Sequence, residues 1–360
     1  MGTGYDPFSR GRFTVGVCSF EALDPARNRR FPGEIWYPAA AEHAGQDMGG
    51  ETQDRFAVPH RTATRVQLAV RNAVPHSGSC PLVIFSHHSG GHRRAATYLC
   101  THLSSHGFVV AALDHSEVTA PELSRQSGET PEQKAVRIKG WIKSRVPDVL
   151  FLLNHLLRGA ALDLGVNVDS RRIGVVGHSF GGWTALAAPD VDARIGAVVA
   201  IAPGGSSRPK PGILPVKLAL AWSQDVSTLY LAAENDVSIP LQGIYELFER
   251  TPRPKRLVIL RRADHLHFID DVEEEHETVR KIAFTGELAW IPREMRPISE
   301  LCSGEKAHLL VRGLAVCHLD AALKQKADAR EYLASDLARE LSNRGVEAIV
   351  PQSDRAKLDP

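Results

Sequence analysis

The chain has 360 residues, of which 43% are hydrophobic and 24% charged, with a formal net charge of +1. This is the balance of a globular protein long enough for one large α/β domain with insertions. Near-neutrality leaves no overall field for nucleic acid or an anionic membrane, and no apolar run is long enough to cross a bilayer.

The five cysteines, Cys18, Cys80, Cys100, Cys302 and Cys317, form no C-x-x-C pair. An odd, scattered set reads as free thiols in a reducing compartment. The opening MGTGYDPFSRGRF lacks an apolar core, so no secretory leader is expected and the cytoplasm is the expected location.

In chain order, RFTVGVCSF and FPGEIWYP read as two strands joined by a turn at Asp24-Pro25. Residues 41–79 are polar with scattered Gly and Pro, a surface excursion with one strand expected around Arg65–Val70. From Pro81 the texture changes. PLVIFS is a short apolar run bounded by proline and polar residues, which fits a strand buried on both faces. RRAATYLCTHLSSHG has helical spacing with a Gly stop, and FVVAALDH is a second buried strand. RIGVVGHS, GAVVAIAP, STLYLAAEND and KRLVILRRADH supply four more. Strands alternating with helices predict right-handed crossovers and a mostly parallel sheet with helices on both faces, preceded by antiparallel strands. Residues 116–147 and 270–303 interrupt the rhythm and are candidate cap or pocket-wall insertions. A helix is expected near Glu305–Lys324, and DAREYLASDLARELSNRG reads as one terminal amphipathic helix. With no linker in sight, residues 1–360 are expected to form a single domain.

The chemistry concentrates at Gly177-His178-Ser179-Phe180-Gly181, where a buried strand gives way to a helix. A G-x-S-x-G sequence in that setting holds a serine in a sharp, strained turn with its hydroxyl exposed. Glycines two before and two after leave room for the tight fold. Serine needs a base to take its proton. In chain order an acid and then a histidine follow, each at a strand end. Asp236, just past STLYLAAEN, is the expected acid, with Glu234 as the rival. His265, heading H-L-H-F, is the expected base, and His267 is expected to point elsewhere. The oxyanion donors should be the backbone N–H of Phe180 and one from the loop Phe85–Gly91, with Ser89 as the candidate. His87, His88, His92 and His115 are near in sequence but lack H-E-x-x-H or similar spacing, so no metal and no organic cofactor is expected.

The segments VIFSHHSGGHRRAATYLCTHLSSHGFVVAALDH and GHSFGGWTA resemble the plasma-type platelet-activating factor acetylhydrolases and their dienelactone-hydrolase-like relatives. The likeness runs from about Arg12 to Phe268 and is densest from Pro81 to Ala187. It implies an α/β-hydrolase fold and a serine hydrolase of short-acyl esters, without metal or cofactor. By position it implies Ser179 as nucleophile, Asp236 as acid and His265 as base, with His265 to Phe268 matching H-x-x-F. It also implies Ser89 and Phe180 as oxyanion donors. Dienelactone hydrolases proper use a cysteine nucleophile, and Ser179 departs from that. The family's F-S-H-G has glycine where this chain has His88; a positive φ there would strain the histidine.

The reading is therefore a carboxylic-ester hydrolase working through an acyl-serine. Its expected partner is a small-molecule, water-soluble, short-acyl ester, with neither nucleic acid nor membrane. A thioesterase or acyltransferase using the same residues, or a hydrolase fold reused for binding, are the alternatives. The acyl group, the alcohol and the oligomeric state stay open.

Overall fold

In the computed structural model, residues 4–58 and 64–351 are described below. Twelve strands follow in chain order. They are β1 Val15–Asp24, β2 Arg29–Pro38, β3 Asp54–Ala57, β4 Thr64–Gln67, β5 Val70–Arg71, β6 Cys80–Ser86, β7 Val109–Leu113, β8 Val168–His178, β9 Ile195–Ile201, β10 Ser227–Ala233, β11 Lys255–Leu260 and β12 Ala348–Ile349. Ten form one sheet in the order β12-β11-β10-β9-β8-β6-β7-β2-β1-β5; β3 and β4 pair separately. From β7 across to β11 neighbouring strands run parallel. The antiparallel pair β1–β2 joins this block through β2 against β7.

Every residue of β6 and β7 is buried, as an apolar run covered on both faces requires. Successive side chains of β6 point to opposite faces. Val83 and Phe85 enter one core with α1 (Thr97–Ser105) and α6 (Gly304–Leu323). Leu82 and Ile84 enter the other with α2 (Pro131–His155), α3 (Phe180–Ala187) and α4 (Leu241–Arg250). The sheet is thus a two-faced layer that carries the ends of β6, β8, β10 and β11 to one rim.

Several expectations need correction. The polar stretch 116–147 does not end at 147: its second half is the front of α2, which runs on to His155. The start is a capping box, with Thr130 Oγ1 accepting from Gln133 N and Gln133 Oε1 accepting from Thr130 N. Pro131 occupies the first turn, where a missing N–H is harmless. Within 270–303 lies α5 (Val272–Lys281). The tail is not one helix. It breaks into Ala327–Ala334 and Leu337–Ser342, and after Gly345 (φ +73°) it adds β12 to the sheet edge. Asp336 caps the second helix by accepting from Arg339 N, which is why the amphipathic pattern is interrupted there. In the excursion 41–79, the strand expected near Arg65–Val70 is two short strands, β4 and β5, on different partners; residues 59–63 lie outside the described residues. Among the described residues, no helix is long and apolar enough to cross a membrane.

Candidate active site

β8 ends at His178 and α3 begins at Phe180, leaving Ser179 alone to turn the chain. Its backbone sits at φ 59°, ψ −115°, a region that costs a non-glycine residue about 1–3 kcal/mol. The surroundings hold it there. Ser179 N donates to Ile201 O at 2.8 Å, and Ser179 O accepts from Trp183 N at 3.0 Å. The flanking glycines are required by contact. A Cβ on Gly177 would lie 2.1 Å from the Gly181 carbonyl oxygen, and one on Gly181 would lie 1.9 Å from that of Ser86.

His265 opens a single tight turn, His265–Phe268, after β11. Its Nε2 lies 2.8 Å from Ser179 Oγ and its Nδ1 2.6 Å from Asp236 Oδ2. Asp236 is held by its own turn, Oδ1 accepting from Ser238 N at 2.9 Å and Ile239 N at 2.8 Å. That leaves Oδ2 for the imidazole. Glu234 faces away and accepts from Arg262 N at 3.0 Å. Burial opposes charge on His265, but the adjoining Asp236 carboxylate, and Asp264 beyond it, raise its pKa above the ordinary value.

His267 points away from Ser179. Burial opposes its charge too, yet hydrogen bonding to Asp264 raises its pKa to about 9. Its Nδ1 lies 2.9 Å from Asp264 Oδ1 and accepts from Asp264 N at 3.0 Å, and its Nε2 lies 3.0 Å from Cys302 O. Asp264 also accepts from Leu266 N, and so sets the turn that sends the two histidines in different directions. His178 and His88 pack near His265, with His178 4.8 Å from His265 between ring centroids. Burial holds His178 well below the ordinary histidine value and His88 down at about 3, so both stay neutral.

Ser89 is the second residue of a turn closed by Gly91 N donating to His88 O at 3.1 Å, so its own N–H takes no part in the turn. Phe180 is the first residue of α3, where the N–H has no acceptor within the helix. The positive φ in this loop falls on Gly90 (+73°) and not on His88, so His88 carries no such strain.

Ser179, His265, Ser89 and Phe180 all line one cavity of about 660 Å³. Its walls come mainly from three stretches, beside Val237, Ser238 and Ile239. Residues 125–141 contribute Ile138 and Trp141 with the charged Arg125, Glu129, Lys134 and Arg137; residues 279–295 contribute Phe284, Leu288 and Met295. The third wall, Ile213, Leu214 and Val216, had no distinguishing mark in the sequence. Trp141 is pinned by its Nε1 donating to Leu123 O at 2.8 Å. Among the described residues, no group of three or more His, Cys, Asp or Glu is placed to hold a metal ion. His87 and His115 are instead hydrogen-bonded inside the protein.

A family model described as platelet-activating factor acetylhydrolase, isoform II, matches residues 29–148. A platelet-activating factor acetylhydrolase of Cavia porcellus is 22% identical over 68% of this chain and 62% of its own length. One of Bos taurus is 30% identical over 34% of each chain. The match thus spans between about a third and under two thirds of these relatives. A solved ferulic acid esterase from Streptomyces cinnamoneus superposes with a TM-score of 0.63 at 22% identity, covering 95% of this chain and 97% of that one, a likeness of fold. With the parallel sheet, the strand–Ser179–helix turn and these relatives together, the chain has the α/β-hydrolase fold and is similar to the platelet-activating factor acetylhydrolases.

Proposed function

We propose that this chain is a serine carboxylic-ester hydrolase working through an acyl-Ser179 intermediate. The observation that carries the proposal is the run Ser179 Oγ–His265–Asp236, at 2.8 and 2.6 Å, opening into the 660 Å³ cavity. Ser179 Oγ attacks the ester carbonyl while His265 Nε2 takes its proton. Asp236 holds the proton on Nδ1 and stabilises the imidazolium. The N–H groups of Ser89 and Phe180 donate to the developing oxyanion. His265 then protonates the leaving alcohol, and a water activated by the same base clears the acyl group. Every proton is moved by these side chains, so neither metal nor organic cofactor is required.

The proposed substrate is a water-soluble ester with a short acyl group. Two features support it: the acetylhydrolase names of the similar proteins, and the charged Arg125, Glu129, Lys134 and Arg137 on one side of the cavity. On this reading 116–147 and 270–303 are pocket walls of a single domain, not separate units. A reducing compartment such as the cytoplasm suits five unpaired cysteines, four of them buried. The test is a panel of esters graded in acyl length and alcohol size, run beside fluorophosphonate labelling of Ser179. Labelling and turnover that favour short acyl groups are expected. Absence of both overturns the reading.

A further inference from the structure

Arg145 lies on α2 in the stripe that faces the sheet, and its side chain is 0% exposed. Burying a guanidinium is costly unless its donors are satisfied. Here four N–H groups find partners. Nη1 donates to Ser86 Oγ at 3.2 Å and to His87 O at 2.6 Å. Nη2 donates to His88 O at 3.1 Å and to the buried Glu117 carboxylate.

The His88 carbonyl belongs to the same peptide unit as the Ser89 N–H. A trans peptide is planar, so its C=O and N–H point in opposite directions. Gripping the oxygen therefore fixes where the N–H aims. Two further donors converge on that oxygen: Gly91 N, which closes the turn at 3.1 Å, and the His87 ring. His87 Nε2 accepts from His115 N, which leaves the proton on Nδ1, and Nδ1 donates to His88 O at 2.7 Å. A carbonyl drawn on by a cation also polarises its own peptide, which strengthens the N–H as a donor. The guanidinium carbon lies 4.2 Å from the centroid of the Phe180 ring, so the same group rests on the residue that carries the other oxyanion N–H.

We infer that Arg145 is a positioning residue for the oxyanion hole, aiming the Ser89 N–H through the His88 carbonyl and bracing Phe180. The inference rests on the ester-hydrolase reading above. Arg145 touches no substrate; it acts through two loops brought together only by the fold. Lysine, a point donor, cannot span both carbonyls and the Glu117 carboxylate as a planar fork does.

The test uses the full chain and Arg145→Lys, with active-site titration so that rates refer to folded enzyme. A misaligned oxyanion donor should lower kcat by about 10²-fold, with KM within about threefold, because the interaction is made in the transition state. A trifluoromethyl ketone, which forms a tetrahedral oxyanion on Ser179, should weaken by a similar factor, while the unfluorinated ketone binds as before. The pH midpoint should not move, since His265 and Asp236 are untouched. A purely structural role predicts instead a lower titre of active enzyme with unchanged kcat per site, and that result overturns the inference. Should Arg145→Lys fail to fold, Glu117→Gln carries the test alone. It loosens the fork's anchor and should cost roughly three- to tenfold in kcat and in trifluoromethyl ketone affinity; unchanged values overturn the proposal. Wild-type turnover separates the two readings. An active wild type with an unaffected variant sinks only the Arg145 role, whereas an inactive wild type removes the reaction and this role with it.

Discussion

Two Ser–His–Asp constellations stand at the rim of this sheet. In one, Ser179 Oγ is 2.8 Å from His265 Nε2, and His265 Nδ1 is 2.6 Å from Asp236. In the other, Ser86 Oγ is 2.8 Å from His115 Nε2, and His115 Nδ1 is 3.3 Å from Asp148. Residue types and connectivity match, yet the settings differ. Ser86 ends a regular strand, is wholly buried and accepts a hydrogen bond from the Arg145 guanidinium. Ser179 sits at positive φ at the head of a helix and faces a cavity. Burial pushes the His115 pKa well below the ordinary value, with the Arg145 charge adding to it, whereas His265 beside Asp236 is raised. Three side chains within hydrogen-bond reach do not make a nucleophile. Access, backbone strain and donors for the oxyanion do, and these come from outside the three residues.

The largest expected effect separates the two serines. Ser179→Ala should cost on the order of 10⁴–10⁶ in turnover with the fold intact, whereas Ser86→Ala should stay within about tenfold of wild type. Fluorophosphonate should label Ser179 alone, by peptide mapping. Label on Ser86, or more than about a tenth of wild-type turnover left in Ser179→Ala, would falsify the contrast.

The two carboxylates should part in a similar way. Asp236→Asn is expected to lower kcat by about 10⁴, because the imidazole loses its required tautomer. Glu234→Gln should be near wild type. Asp148 accepts from Ser116 N and Oγ, and pairs with Arg27. Asp148→Asn should therefore appear as lost stability, on the order of 3 kcal/mol by denaturant unfolding, with modest change in rate per folded molecule. A crippled Glu234→Gln beside a healthy Asp236→Asn would exchange the acids.

The two histidines sharpen the comparison through pH. The base must be neutral to accept the serine proton. Because the His265 pKa is raised, activity should rise with pH through one ionisation whose midpoint lies above about 6.5. It should be lost as pH falls, when His265 is already protonated. Histidine NMR should find His265 titrating in that range and His115 neutral throughout. A flat rate profile from about pH 5 to about 9 would argue against a histidine base.

The smallest expected change is none. The buried constellation is closed over by α2, which carries Asp148 and Arg145, but the open one faces a cavity whose apolar lining is flanked by the charged Arg125, Glu129, Lys134 and Arg137. That charged flank by itself offers little apolar area to a lipid surface. Rates for a butyrate and a long-chain ester should therefore pass through the micellar threshold without a jump. A jump, or preference for the long chain, would show that the wall opens onto lipid.

Much of this molecule was legible in the chain itself. Short apolar runs ending in polar residues marked the buried strands, since a strand covered on both faces has no polar side to show. G-H-S-F-G between two such elements marked Ser179, because only flanking glycines let the chain fold against Gly181 and the Ser86 carbonyl. Asp236 and His265 were marked by strand ends and chain order. Other features were settled only by tertiary structure. The front of α2 reads as polar insertion from its charges, yet Arg145 within it and Asp148 just beyond it lie buried beside Val149 and Leu152. A charged residue within an apolar stripe was the available sign, but its partners, the His87 and His88 carbonyls and Glu117, lie 28 to 58 residues away. The tail's break and its return to the sheet edge as β12 depend on pairing with β11, which local periodicity does not encode. Which of the two Ser–His–Asp sets meets a cavity was likewise decided by the fold, because exposure is a property of what packs around a residue and not of the residue itself.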